Sequence, residues 1–401
     1  MTVVTQRASG DMTGACAGLR VLEFATMVSG PYGGQLLGDL GADVIKVEPL
    51  SGDPLRSIRP AHNGMSSTFV QFNRNKRSIA INLKSSEGAA IARELAASAD
   101  ILIENNRTGV MQRLGLDYEA LRGDNPGLIY ASVTGFGSSG PYADRLAYEH
   151  LLQAFCGVMR LQGRDGPPAG IQNVVVDKSS AMFATNAILA ALLYRERGGG
   201  GQKIDLSLMA AAASFLLPES MTNDSFLDPA AEQVKAPNTF FPVETADGHV
   251  IGYLQQRSHF VALCRVFGRE DLIEDPRFQT AWDIFSKLPV IWSEMQSVAG
   301  NLTTRQVVKA AGREGMPLAP VNTMRDFIAD PQVAHGQVFE TIDDADLGPV
   351  RHIRYPASLS QSPASIRMIA PRLGEHGAAV LAELGRSPEE IAALRDQRII
   401  A

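Results

Sequence analysis

Leu19-Arg20-Val21-Leu22-Glu23-Phe24-Ala25, Ser29-Gly30-Pro31-Tyr32-Gly33-Gly34 and Asp43-Val44-Ile45-Lys46-Val47-Glu48-Pro49 decide the fold. The first and third runs are rich in β-formers and read as strands. The second is a turn that opens a helix through Leu36, Leu37 and Leu40, with Gly41 as its stop. Pro49 closes the second strand. Strand, helix, strand in that order is a βαβ unit, and it predicts a parallel sheet.

The pattern continues downstream. Ser78-Ile79-Ala80-Ile81-Asn82-Leu83 alternates like a strand, and a helix through Ile91 and Leu95 follows, capped near Ser85 or Ser86. Ile101-Leu102-Ile103-Glu104-Asn105 and Leu128-Ile129-Tyr130-Ala131-Ser132-Val133-Thr134 are further strands. The second of these runs into Gly135-Phe136-Gly137-Ser138-Ser139-Gly140-Pro141. Strands that end in Asn, Gly and Ser suit a ligand site at the carboxyl edge of a sheet. A helix is expected from about Tyr148 to Leu161. Gly198-Gly199-Gly200-Gly201 follows Arg195-Glu196-Arg197 and reads as a helix stop before the strand Gln202–Leu206. No Lys-Ser or Lys-Thr follows it, so it is not a phosphate loop.

Composition shifts near Thr222-Asn223-Asp224-Ser225-Phe226-Leu227-Asp228-Pro229, a linker. Short strands near Phe240 and at His249–Leu254 come next, then helices with Trp282 and Trp292. The expected architecture is therefore α/β, with a large parallel-sheet domain over 18–222 and a smaller α/β domain over 223–328. Residues 329–401 form a C-terminal segment with two terminal helices, the last opened by the capping box Ser387-Pro388-Glu389-Glu390. Residues 1–17 read as a flexible tail.

The 401 residues are 45% apolar and 20% charged, with net charge −6, which advertises neither nucleic acid nor a membrane as partner. No apolar run is long enough to span a bilayer, and the start lacks the apolar core of a secretion signal. Cys16, Cys156 and Cys264 are far apart and lack metal-ligand spacing, so neither a disulfide framework nor a metal site is expected. Cytoplasmic location follows as the expectation.

The most telling single residue is Asp177. It follows Val174-Val175-Val176, read as a buried strand, and precedes the Ala-rich helical run from Ala181 to Leu193. A carboxylate between two buried elements needs partners, and the start of a helix supplies N–H groups and a favourable dipole. Two readings stand: an ordinary N-cap acid, or a positioned carboxylate nucleophile.

Six segments in order resemble the class III CoA-transferase family, the formyl-CoA and carnitine CoA-transferase type. They are Val21-Leu22-Glu23-Phe24 with Ser29-Gly30-Pro31, Leu40 to Glu48, Asn73-Arg74-Asn75-Lys76-Arg77-Ser78, Ala99 to Asn105, Arg197 to Gln202, and Leu373-Gly374-Glu375-His376. The resemblance implies a Rossmann-like large domain, a C-terminal segment that returns to it, and two chains interlocked as rings in a homodimer. It implies that Asp177 is the nucleophile. It implies coenzyme A or an acyl-CoA as substrate, a small carboxylic acid as the other substrate, and no permanently bound cofactor. Contacts to CoA are implied at Val28, Ser29, Ile81, Lys84, Asn105, Asn106, Arg113, Thr134, Gly135, Phe136 and Gly137. Gly135-Phe136-Gly137 is either a source of oxyanion-binding N–H groups or a plain turn. Lys76 and Arg77 are either ligand contacts or strand-edge charges. Tyr148, Arg160 and Gln172 are candidate acid contacts.

The chain departs from that family at several points. Thr26 and Val28 stand where relatives carry His and Gln, Pro49 where an arginine can bind adenine, and Thr134 where there is a lysine. A mobile glycine run near 222–238 is missing, which disfavours oxalate and formyl chemistry. Three alternatives remain open. One is an α-methylacyl-CoA racemase-like epimerase, which shares the fold but finds Tyr148 at its histidine position, with His150 two residues on. Another is a CoA-binding protein without catalysis. The third is a NAD-binding dehydrogenase, hinted at by Glu48 but lacking G-x-G-x-x-G.

Overall fold

Six parallel strands lie side by side in the order Lys76–Ala80, Asp43–Glu48, Arg20–Phe24, Ile101–Glu104, Ile129–Thr134 and Gln202–Ser207. Arg20–Phe24 is the hub, with Val21 in register with Val44 on one side and Ile101 on the other. Chain order reverses between Arg20–Phe24 and Ile101–Glu104, so a crevice opens beyond their carboxyl ends. The central strands are buried along their whole length because helices cover both faces. On one face, Ile91 and Leu95 of the Ser86–Ala97 helix pack with Tyr130 and with Val380 and Leu394 from the end of the chain. On the other, Leu37 and Ile188 pack against Val21, Ile103 and Ala131.

The computed structural model describes residues 13–164, 166–234 and 239–401. They divide into a larger unit, those up to Met221 together with Gln337–Ala401, and a smaller one, those between Thr222 and Gly336. The larger is thus an α/β structure built on a large parallel sheet. Its last residues return to that sheet, where Ile81 bridges Ile400. The smaller unit has three short antiparallel strands, Val243–Glu244, His249–Gly252 and Leu318–Pro320. Its core gathers Phe260, Phe278, Ile291, Trp292 and Met295. Trp282 lies at its surface.

Four local expectations are corrected. Val174-Val175-Val176 is not a strand, because the helix Val175–Glu196 already begins there. The helix expected over 148–161 is two, Glu149–Phe155 and Val158–Gly163, separated where Gly157 takes φ 79°. The strand expected to reach Leu83 ends at Ala80, and Ile81 joins the core. Of the expected tail, residues 1–12 lie outside the described residues. Cys16, however, is buried and donates its N–H to Leu40 O at 2.8 Å. Ser387 does form its capping box with Glu390. Among the described residues, no helix is long and apolar enough to cross a membrane.

Candidate active site

Val176 packs with Val133, Leu152 and Leu208, which brings the start of the Val175–Glu196 helix to the carboxyl end of the Ile129–Thr134 strand. Asp177 is the third residue of that helix. It is therefore not the cap, and Val174, at the cap position, has no capping side chain. The helix is capped from elsewhere. Glu149 opens the helix Glu149–Phe155 and is buried. Its Oε1 accepts the Val176 N–H at 3.1 Å and its Oε2 the Asp177 N–H at 2.9 Å. Buried Gln153 donates to Glu149 Oε1 at 2.7 Å and accepts the Ile171 N–H at 2.9 Å. One acid thus takes the anion-binding end of the helix that the other acid was expected to use.

Asp177 bears the consequence. Burial, reinforced by the Glu149 charge, pushes its carboxyl up to about 7. A half-buried carboxylic acid poised near neutrality, beside a second acid, is the arrangement that marks functional sites. In the sequence Tyr148 and His150 stand out, and Glu149 between them carries no local signal. Tyr148 and His150 are exposed, and Glu149 alone of the three points inward. Arg160 and Gln172 are exposed as well.

Four of the expected CoA contacts converge at the crevice. Asn105 donates to Thr26 O at 2.8 Å and Ser29 Oγ at 3.1 Å, and its Oδ1 accepts the Thr26 N–H at 2.9 Å. Asn106 donates to Phe24 O at 3.1 Å. Val28 and Ser29 are buried at the start of the helix Ser29–Asp39. The Asn105 amide is spent on bracing the loop, so what the crevice offers a ligand is mainly the loop it braces. Thr134 and Gly135-Phe136-Gly137 stand half-buried at the end of the neighbouring strand. A Cβ on Gly135 would come within 2.0 Å of Ala147 Cβ, so only glycine lets the loop lie against the chain leading into Glu149. Ile81 is fully buried in the core, while Lys84 and Arg113 are exposed. Lys76 and Arg77 are engaged, the first with Glu23 in the interior, the second with Asp43 and Glu383. Glu48 is held by Arg56 at 2.6 Å rather than left open to a ribose.

A cavity of about 320 Å³ is lined by Glu104, Asn106, Tyr130, Ser132, Thr134 and Lys203, among others. Tyr130, Ser132 and Thr134 face one side of their strand, and Val133, which packs with the Asp177 helix, faces the other. Cavity and carboxylate thus meet only around the strand end. Burial raises the Glu104 carboxyl, which accepts from the Ser132 hydroxyl and the Asn106 N–H. Among the described residues, no cluster of three or more His, Cys, Asp or Glu could hold a metal ion.

The sequence matches CoA-transferase family III over residues 16–377. It is 35% identical to a succinate–glutarate CoA-transferase of Agrobacterium fabrum, over 92% of this chain and 95% of that one. It is 31% identical to a succinyl-CoA–D-citramalate CoA-transferase of Chloroflexus aurantiacus, over 95% and 97% of the two chains. A CAIB/BAIF family protein from Brucella suis has the same fold, with a TM-score of 0.84 at 33% identity, covering 93% of this chain and all of that one. A two-unit α/β chain with this sheet, this crevice and these likenesses is an enzyme that belongs to CoA-transferase family III.

Proposed function

We propose that the enzyme moves CoA from an acyl-CoA to a small carboxylic acid, with Asp177 as the transient carrier. An Asp177 oxygen attacks the thioester carbonyl, the C–S bond breaks, and CoA leaves as thiolate. The thiolate attacks the Asp177 carbonyl of the resulting anhydride. That releases the donor acid as its carboxylate and leaves CoA on Asp177 as a thioester. The acceptor carboxylate then runs the same two steps in reverse, and Asp177 is regenerated. No net proton moves, so no general base is required.

One observation carries this reading: Asp177 is held half-buried in a first helical turn where Glu149 takes the Val176 and Asp177 N–H groups, with its carboxyl raised to about 7. A more basic carboxylate is a stronger nucleophile. Exposed Tyr148 and His150 give little support to the second base that an α-proton exchange needs. The names of the relatives make succinyl-CoA the first donor to try and small dicarboxylic acids the first acceptors. The reading includes CoA held at the crevice by the Ala25–Ser29 loop, Asn106 and the Thr134–Gly137 segment, with oxyanion stabilisation from the glycine loop. It also includes an interlocked homodimer working in the cytoplasm. The exposed Met182, Leu189 and Leu193 along the Val175–Glu196 helix support association.

The test is incubation with succinyl-CoA and a panel of acids, following new acyl-CoA species by mass. Trapping with hydroxylamine or borohydride during turnover should mark the Asp177 peptide. New thioesters formed without any mark on that peptide overturn the carrier role.

A further inference from the structure

Beneath the crevice lies a cluster of buried charges that the proposed reaction does not use. Glu23, Lys46 and Lys76 are fully buried, and Asp53 is 2% exposed. Lys46 Nζ lies 3.0 Å from Glu23 Oε1, 2.9 Å from Asp53 Oδ2 and 2.8 Å from Ala25 O. Lys76 Nζ meets the other Glu23 oxygen at 2.9 Å and donates to Pro31 O at 2.7 Å and Asn73 Oδ1 at 2.8 Å. Two ammonium groups thus face the carboxylates of Glu23 and Asp53, and buried Glu48 adjoins them by accepting the Asp53 N–H at 3.0 Å. Glu23 Oε2 and Asp53 Oδ2 meet their ammonium groups at ion-pair distance without hydrogen-bond alignment. Gly34 leaves the room: a Cβ there would fall 2.0 Å from Glu23 Oε2.

Such a cluster is a poor source of stability, since apolar side chains of equal volume usually do as well or better. Its connections point to another role. Lys46 ends on the carbonyl of Ala25, and Asp53 Oδ1 accepts the Met27 N–H at 3.2 Å and the Leu55 N–H at 2.9 Å. The two grips fall on either side of Thr26, whose own N–H and C=O are held by Asn105. Met27 sits at φ 65°, a left-handed conformation unfavourable for a side chain of its kind, and it is 40% exposed. Backbone strain of this sort persists only where its surroundings over-determine it.

We infer that Lys46 and Asp53 are positioning residues that fix the Ala25–Ser29 loop, so that Thr26 and Met27 meet a bound acyl-CoA in a preformed shape. The inference rests on the proposed CoA site at the crevice. Neither residue touches substrate, and both act through the loop. Holding a contact surface ready in advance is expressed in binding and alignment rather than in the chemical step.

The experiment uses the full chain with succinyl-CoA and whichever acid it accepts. Asp53→Ala and Lys46→Met should raise KM for the acyl-CoA by about tenfold while KM for the acid stays within about twofold. Asp53→Asn keeps an oxygen for the Met27 and Leu55 N–H groups and should recover most of the loss. Asp39→Asn disturbs the buried Asp39–Arg74 pair of the same unit, which does not touch the loop. It reports the effect of lost stability alone. If Asp53→Ala and Lys46→Met lower the melting temperature yet leave KM where Asp39→Asn leaves it, the inference is overturned. Native-state hydrogen exchange of the wild-type enzyme reads the loop even if variants misfold. The Met27 amide should be protected, and exchange at the rate of an open loop overturns the network's role. CoA binding to an Asp177→Asn enzyme separates the two proposals. Weaker binding on adding Asp53→Ala supports the positioning role whether or not Asp177 is the carrier.

Discussion

Glu149 accepts the backbone N–H of Asp177 at 2.9 Å, so the second acid of the site grips the first by its main chain and faces its side chain as a like charge. Two effects are separable. The hydrogen bonds fix where Asp177 stands, and the charge helps set when it ionises.

The pH dependence follows. With Asp177 attacking as its carboxylate, as proposed, activity should rise with pH through about 7 and then level off. Burial comes first and Glu149 second among the causes, and Glu149→Gln removes only the second. The inflection should move to lower pH without reaching the ordinary carboxylate value of 3.8. Because glutamine offers one acceptor oxygen, one first-turn N–H loses its partner, which destabilises the fold by about 1–2 kcal/mol. Rate profiles of the two enzymes between pH 5 and 9, together with urea midpoints, check both effects. An unmoved inflection would remove Glu149 from the account.

Asp177→Asn should abolish transfer and stabilise the protein. The folded carboxyl near 7 lies above its ordinary 3.8, so the native state holds a proton that the unfolded chain has already released. The group's contribution is fully favourable below about 4 and is lost as pH rises through about 7. Asparagine escapes that loss, so the gain should be small at pH 4 and reach on the order of 1–3 kcal/mol at pH 8. Equal urea midpoints for the two proteins at pH 8 would contradict the environment described for Asp177.

A second buried group should add to acid sensitivity. His352, on the strand Gly348–Ile353, is fully buried, and neither ring nitrogen has a hydrogen-bond partner among the described residues. Burial, with Arg74 nearby, lowers it from 6.5 to about 4. Below 6.5 the unfolded chain gains a proton that the native state refuses, so stability falls as pH drops from 6.5 towards 4. His352→Leu should flatten that slope and raise stability at pH 5 by about 1–2 kcal/mol. Urea titrations at pH 5 and 7.5 measure it. A slope unchanged by the substitution places the acid sensitivity elsewhere.

Gly34→Ala tests the room left for Glu23. The added methyl falls on a buried carboxylate oxygen that cannot leave its ammonium partner, so the loss should be about 2–3 kcal/mol, well above the usual gain from alanine in a helix. A melting temperature at or above wild type would show that the cluster yields easily.

The parallel sheet was legible because βαβ order and strand composition are local properties of the chain, and Arg20–Phe24, Asp43–Glu48 and Ile101–Glu104 all appear where expected. At Asp177 the sequence shows an acid beside apolar runs, but not the surroundings the fold gives it. Three consecutive valines favour a strand on propensity. A carboxylate 27 residues upstream of Val176 makes them a helix start, and no local pattern carries that distance. Glu149 itself is one acid on a short helix, flanked by a tyrosine and a histidine that attract more interest. The Glu23–Lys76 pair spans 53 positions and was equally hidden, which left Lys76 open to a reading as a ligand contact. Ile81 is buried because the end of the chain, at Ile400, folds over it, and no local pattern announces that neighbour.

The cap that Glu149 provides also bears on what Asp177 gains by reacting. As a free ion it is crowded by burial and by a neighbour of its own sign. Joined to an acyl group or a thiol it becomes electrically neutral, and both discomforts vanish together. In the proposed cycle the fold would thereby tilt the site towards the covalently loaded state, and the resting enzyme would sit on a spring that each incoming thioester releases.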